Sequence, residues 1–243
     1  LNAFYEFVSE GDGTYKGLTA GAKEAGVEGF LLFSVATNAH QVCKVNDGIA
    51  AQTKASCEEG FKTVGFAGMH QDFADMEGEI ERCIKMGLRG VKIHPDIQRV
   101  QLDDPRMMRM YELCEGRLPM LIHTGDKRYD NSNPNRLLPI INKYKDLTVI
   151  GAHFGGWSIW EEATKQLYTY KNFLVDCSSS LYAISKEKAK ELILAYGTDR
   201  VLFGTDYPLW TPEEEIERFM SLDLTDEQRE DILYNNTAKL FNI

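Results

Sequence analysis

Three short stretches constrain this chain more than anything else in it: Leu121-Ile122-His123-Thr124-Gly125-Asp126, Val149-Ile150-Gly151-Ala152-His153-Phe154-Gly155-Gly156 and Val201-Leu202-Phe203-Gly204-Thr205-Asp206-Tyr207-Pro208. Each begins as a run of β-branched and other apolar residues, the composition of a parallel strand buried on both faces. Each then ends at once in a metal-type side chain and a Gly or Pro loop. A single strand of this kind says little. Several at regular spacing predict a barrel whose chemistry gathers on the carboxyl rim, where side chains from separate strands converge.

Along the chain the same unit, strand then helix, recurs roughly every 25 to 35 residues, as an eightfold barrel requires. Strands are predicted at residues 30–35, 63–70, 90–94, 118–123, 148–153, 173–177 and 201–206. Helices are predicted at 14–26, 42–59, 76–87, from the Asp104-Pro105 cap to about 116, at 134–145, 157–170 and 185–197, then from Thr211 and from Thr225, both of which open as capping boxes. Residues 1–13 read as a helix end and a loop. The first helix precedes the first strand, so the count is one strand short. The predicted fold is therefore α/β, a (β/α)8 TIM barrel lacking its first strand, as one domain over residues 1–243 that is expected to be incomplete at its N-terminus. The 243 residues suit one barrel of about 250. A doubly wound open sheet would alternate in the same way, but no GxGxxG follows an early strand.

A formal net charge of -10 argues against nucleic acid as a partner, because affinity for the phosphate backbone needs clustered Lys and Arg. The five cysteines are odd in number, far apart and without a CxxC, so neither a disulfide framework nor a sulfur-rich zinc site is expected, and a reducing cytoplasm fits best. No apolar run approaches the ~20 residues that cross a bilayer, and the start lacks a signal-peptide pattern. A small-molecule substrate is the expected partner, and the outward helices leave a homo-oligomer open.

Strand side chains alternate in direction, so Lys92 and His94 share a face, as do Leu121 and His123, Gly151 and His153, and Gly204 and Asp206. If the last polar residue of each points inward, Lys92, His94, His123, His153 and Asp206 crowd one mouth. Imidazoles and a carboxylate there suit zinc or a similar divalent ion. Such an ion activates water or polarises a carbonyl, and an Asp beside it can take a proton. Lys92 and His94 are expected to bind substrate, or else with Pro95-Asp96 merely to shape a rim loop. Arg128, in the loop after His123, could clamp a carboxylate at two points. Phe154, Trp157, Tyr207 and Trp210 are candidates for an aromatic wall, although Trp157 and Trp160 at helical spacing also suit core packing. His40 and His70 read as structural, and Cys177-Ser178-Ser179-Ser180 lacks the elbow of a nucleophile.

Taken together these motifs resemble the amidohydrolase superfamily, within it the amidohydrolase 2 branch, which also contains decarboxylases of small carboxylic acids. The resemblance runs from about Gly26 onward. It rests on Gly90-Val91-Lys92-Ile93-His94-Pro95-Asp96, His123-Thr124-Gly125-Asp126, Ala152-His153-Phe154-Gly155-Gly156, Asp176-Cys177-Ser178-Ser179 and Leu202 to Pro208. It implies that His123 ligates the metal from the fifth barrel strand, that Asp206 is ligand and proton acceptor from the eighth, and that His153 from the sixth is a ligand or an acid/base. The family's His-x-His on the first strand has no counterpart here, which matches the missing strand; some twenty preceding residues carrying it would be the simplest explanation. The implied activity is hydrolysis of a C–N or C–O bond through a metal-activated water. The alternatives are decarboxylation at the same site, and a barrel that has lost its metal and only binds.

Overall fold

A computed structural model of the chain describes residues 2–6 and 8–243. All seven predicted strands are present, trimmed at their ends: β1 (Gly29–Leu32), β2 (Lys62–Gly65) with β3 (Ala67–Gly68), β4 (Val91–Ile93), β5 (Met120–Ile122), β6 (Val149–Gly151), β7 (Phe173–Asp176) and β8 (Val201–Leu202). The pair β2 and β3 is the second predicted strand, broken at Phe66. β1 pairs with β2, and β3 to β8 pair in sequence order, every pair parallel. Phe66 joins the two sheets, its N–H bonding Leu32 O while Ala67 N–H bonds Gly90 O. Among the described residues no strand pairs β8 with β1, so the ring is open at one seam.

The alternation of strand side chains sets the layers. Met120, Ile122, Val149 and Val175 face outward into the main core beneath the helices, with Ile80, Leu137, Ile141, Leu167 and Ile193. Leu121, Ile150, Val64 and Leu202 face inward and fill the barrel with Phe66 and Phe241. The inward direction of Leu121 carries on to His123, two residues later on the same face. Packing thus delivers the imidazole to the barrel mouth.

The helices start where their capping residues stand. Thr14, Asp75, Asn133 and Ser185 each accept a bond from a first-turn N–H. Thr211 and Thr225 both form full capping boxes with Glu214 and Gln228. One boundary differs from expectation: the helix predicted over 157–170 begins at Trp160. The segment before it is held by another loop instead, with Trp157 N–H on Thr124 O and Asp126 N–H on Trp157 O. Those two bonds draw Trp157 away from helical geometry and onto the rim. Gly125 permits the approach: a side chain there would stand 2.4 Å from the Gly156 backbone. Among the described residues no helix is long and apolar enough to cross a membrane. All five cysteines are free, with Cys83, Cys114 and Cys177 buried.

Candidate active site

His123, His153 and Asp206 each lie just beyond a short strand, and all three line one cavity at the carboxyl rim. Tyr5, Trp157, Tyr182 and Trp210 supply aromatic walls, and Ser179 and Leu209 complete it. The strands stop short of the functional residues for a backbone reason. His153 (φ 59°), Ser179 (φ 45°) and Asp206 (φ 57°) occupy the left-handed region, as does Asp126 (φ 94°) in the loop after His123. Non-glycine residues there cost on the order of 1 kcal/mol each, and such positions concentrate at functional sites.

Hydrogen bonding fixes the imidazoles. His153 Nδ1 lies 2.9 Å from Ser178 O, a group that only accepts, so Nδ1 carries the proton and Nε2 presents a lone pair. That lone pair faces His123 Nδ1 at 3.1 Å, which must then be the donor, leaving His123 Nε2 with its own lone pair. Asp176 sets the frame: its Oδ1 accepts from the backbone N–H groups of His153 and Ser178 and from the Ser178 hydroxyl. On the other side His94 stacks on His123 with ring centroids 3.8 Å apart. Its Nδ1 accepts from Ile97 N–H. Its Nε2 therefore donates to the Tyr5 hydroxyl at 2.5 Å, which in turn reaches His123 Nε2 at 3.3 Å. Burial, reinforced by neighbouring positive groups, holds both His94 and His123 well below the ordinary histidine range. Neutral imidazoles are what a cation requires as ligands.

Two donor groups share His123. The predicted one, with His153 and Asp206, lines the cavity. The tighter one among the described residues is His94, Asp96 and His123, whose ligand atoms all lie within 4.8 Å of one another. In the sequence Asp96 stands out only as part of a rim loop with Pro95. It is 3 % exposed, its Oδ1 has no hydrogen-bond partner, and burial raises its carboxyl to about 7. Bond directions agree that it is protonated. The single proton of the Ser132 hydroxyl has two neighbours, Gly125 O and Asp96 Oδ2, and the carbonyl can only accept. Ser132 must donate to Gly125, so Asp96 donates to Ser132. A neutral acid is a poor ligand until it ionises.

The three residues expected to bind substrate stand elsewhere. Lys92 is buried inside the barrel, its ammonium 5.0 Å from the Phe33 ring centroid. Burial pulls its pKa down, against the opposing pull of Asp206 and Asp176. His94 lies behind His123. Arg128 spends its fork on Asp126 (Nη2 to Oδ2 2.7 Å, Nε to Oδ1 3.0 Å) beneath the rings of Phe4, Tyr5, Tyr129 and Trp157. Of the four aromatic candidates, Trp157 and Trp210 line the cavity; Phe154 is core, and Tyr207 turns its hydroxyl to Asp12. Tyr5 and Tyr182 had no signal of their own in the sequence.

The fold is matched in known proteins. An uncharacterized TIM-barrel protein from Bordetella bronchiseptica is 24% identical, with a TM-score of 0.76 over 94% of this chain and 83% of that one. 5-Carboxyvanillate decarboxylase from Sphingomonas paucimobilis is 19% identical, with a TM-score of 0.75 over 93% and 82%. The 5-carboxyvanillate decarboxylase of Novosphingobium aromaticivorans, solved with manganese and 4-hydroxy-3-methoxy-5-nitrobenzoic acid, is 17% identical, with a TM-score of 0.72 over 93% and 79%. No curated protein sequence matches the chain. The barrel is thereby a TIM barrel, as its strand order indicates, and the amidohydrolase model Amidohydro_2 matches residues 7–243, so the chain belongs to the amidohydrolase family.

Proposed function

We propose that this barrel is a metal-dependent enzyme that removes CO2 from a small aromatic carboxylic acid. The observation that carries the reading is the cavity itself: Tyr5, Trp157, Tyr182 and Trp210 stand around a polar floor of His123, His153 and Asp206. Aromatic walls take up a planar ring by stacking, and nitrogen and carboxylate donors suit a divalent ion. The donor set fits. His153 is oriented as ligating histidines are, its far nitrogen on a carbonyl. His123, His153 and Asp206 are the donors that line the cavity and would hold the ion there; in the tighter set with His94, burial raises the Asp96 carboxyl to about 7, so that its ionised form is the less favoured one below that pH. Zinc follows from the donor types; manganese accompanies the Novosphingobium relative.

When bound, the ion supplies positive charge that holds the substrate's anionic oxygens and favours ionisation of water. The chain's own groups do the rest. The aromatic walls orient the ring and exclude water. The Asp206 carboxylate takes a proton from solvent and passes it to the ring carbon bearing the substrate's carboxylate; the C–C bond then breaks, its electron pair restores the ring, and CO2 leaves. His153 is fixed by Ser178 to keep one tautomer throughout.

Hydrolysis of a C–N or C–O bond uses the same residues, with Asp206 taking a proton from water instead of giving one to carbon, and membership in the amidohydrolase family supports it as the second reading. Protein supplied with zinc or manganese should be offered hydroxybenzoates, lactones and amides in parallel. Release of CO2 with formation of the decarboxylated phenol is the expected result; turnover of lactones or amides without CO2 would overturn it in favour of hydrolysis.

A further inference from the structure

Asp206 stands on a left-handed residue in a loop, where a carboxylate would ordinarily swing. Its Oδ2 lies 2.7 Å from the Ser179 hydroxyl. That hydroxyl is also 3.1 Å from the indole nitrogen of Trp210. Polarity leaves one arrangement. An indole N–H only donates and a carboxylate only accepts, so Ser179 accepts from Trp210 and gives its proton to Asp206. Behind Trp210 the Arg218 guanidinium lies 4.6 Å from the ring centroid. Arg218 is fixed in turn by the fully buried Glu215, at 2.5 Å. A continuous row of contacts thus runs from the helix Pro212–Met220 to one oxygen of the site carboxylate.

We propose that Ser179 and Trp210 are positioning residues for Asp206: the one-way bond from indole to hydroxyl to carboxylate holds Oδ2 in place and leaves Oδ1 for the cavity. Neither residue need touch substrate through these groups. The inference rests on the reading of Asp206 as a metal ligand, and it extends that reading to residues 27 positions upstream and 4 downstream in the chain. Partners that orient a ligand in this way typically change metal affinity by roughly 10- to 100-fold when removed.

The test uses two measurements on wild type, Ser179→Ala, Ser179→Gly, Trp210→Phe and Asp206→Asn. Gly is included because it removes the hydroxyl while relieving the φ of 45° at that position, should the Ala variant fold poorly. The first measurement is the indole N–H resonance of Trp210 in metal-free protein, assigned by its loss in Trp210→Phe from among three tryptophans. It should move upfield and exchange faster in both Ser179 variants, and shift in Asp206→Asn. The second is calorimetric titration with manganese or zinc chloride. Affinity should fall roughly 10- to 100-fold in the Ser179 variants, less in Trp210→Phe, and no further in the Ser179→Ala/Trp210→Phe double variant, since both act through one bond.

An indole resonance indifferent to Ser179 and Asp206 would overturn the proposal whatever the metal does. So would wild-type metal affinity in both Ser179 variants. Wild-type protein that binds no ion, with the resonance still responding to Ser179 and Asp206, would instead remove the metal reading and leave the positioning row standing.

Discussion

Replacing Asp96 by asparagine should stabilise the metal-free protein, and by more as the pH rises. The folded protein holds this carboxyl at about 7 against an ordinary 3.8, chiefly through burial. A carboxyl raised on folding contributes its stability in full below the unfolded value, near pH 4, and loses it as pH climbs through the folded value, near pH 7. The difference of about 3 units, at ~1.4 kcal/mol each, sets a total of about 4 kcal/mol across that window. Between pH 5 and pH 8 the part that can be measured is roughly 2 to 3 kcal/mol. Asparagine does not titrate, and its amide can give Ser132 the same hydrogen bond that the neutral acid gives. Its remaining oxygen has no partner, but neither has Asp96 Oδ1. The depressed histidines at 94 and 123 contribute with the opposite sign, stability lost as pH falls below about 6.5, and that slope is common to both proteins. Urea unfolding at pH 5, 6, 7 and 8 in the presence of a chelator yields the difference directly. A gap between variant and wild type that stays flat or narrows with rising pH would refute the neutral state of Asp96 and, with it, the argument that sets this residue aside as a ligand.

Metal titration separates the two donor groups: His123→Ala should abolish stoichiometric binding of zinc or manganese, Asp206→Asn should weaken it at least tenfold, and His94→Ala should leave it within a few-fold, whereas the reverse order for 94 and 206 would move the ion to the His94–Asp96 side. Asp206→Asn should also eliminate turnover while the circular dichroism spectrum and urea midpoint stay near wild type, because asparagine keeps the volume and is the non-glycine residue most at ease in the left-handed region; wild-type rates in that variant would contradict the proton role. Arg128→Ala should cost about 2 kcal/mol in urea unfolding by leaving buried Asp126 without its fork, a figure reduced for the partial exposure of the arginine. Arg128→Lys should recover only part of that loss, since lysine keeps the charge without the bidentate geometry, and full recovery would show that charge alone matters.

Much of this molecule could be read before its structure. The seven strands are legible because most carry an apolar run, Lys92 being the exception within Val91–Ile93, and the inward direction of His123 follows from counting by twos from Leu121. The capping boxes at Thr211 and Thr225 were equally plain, since their bonds are made within four residues. What escapes depends on which side chains pair, and most of those pairs lie far apart along the chain. Trp157 has helical spacing with Trp160, yet bonds to the loop after His123 decide its backbone. Arg128 has the look of a free clamp, but Asp126, two residues away, takes its fork. The protonated Asp96 needs Ser132, and the Tyr5 hydroxyl bridging His94 and His123 joins residues 89 and 118 positions apart. Such pairings leave no local period to detect.

The backbone at His153, Ser179 and Asp206 carries a lesson for anyone who sets out to make this protein hardier. Glycine at any of these three would ease a twist that other residues tolerate poorly, so a screen rewarding heat resistance alone should drift toward it. Survivors that had lost His153 or Asp206 would then be inert, the reaction traded away for the heat they were asked to withstand.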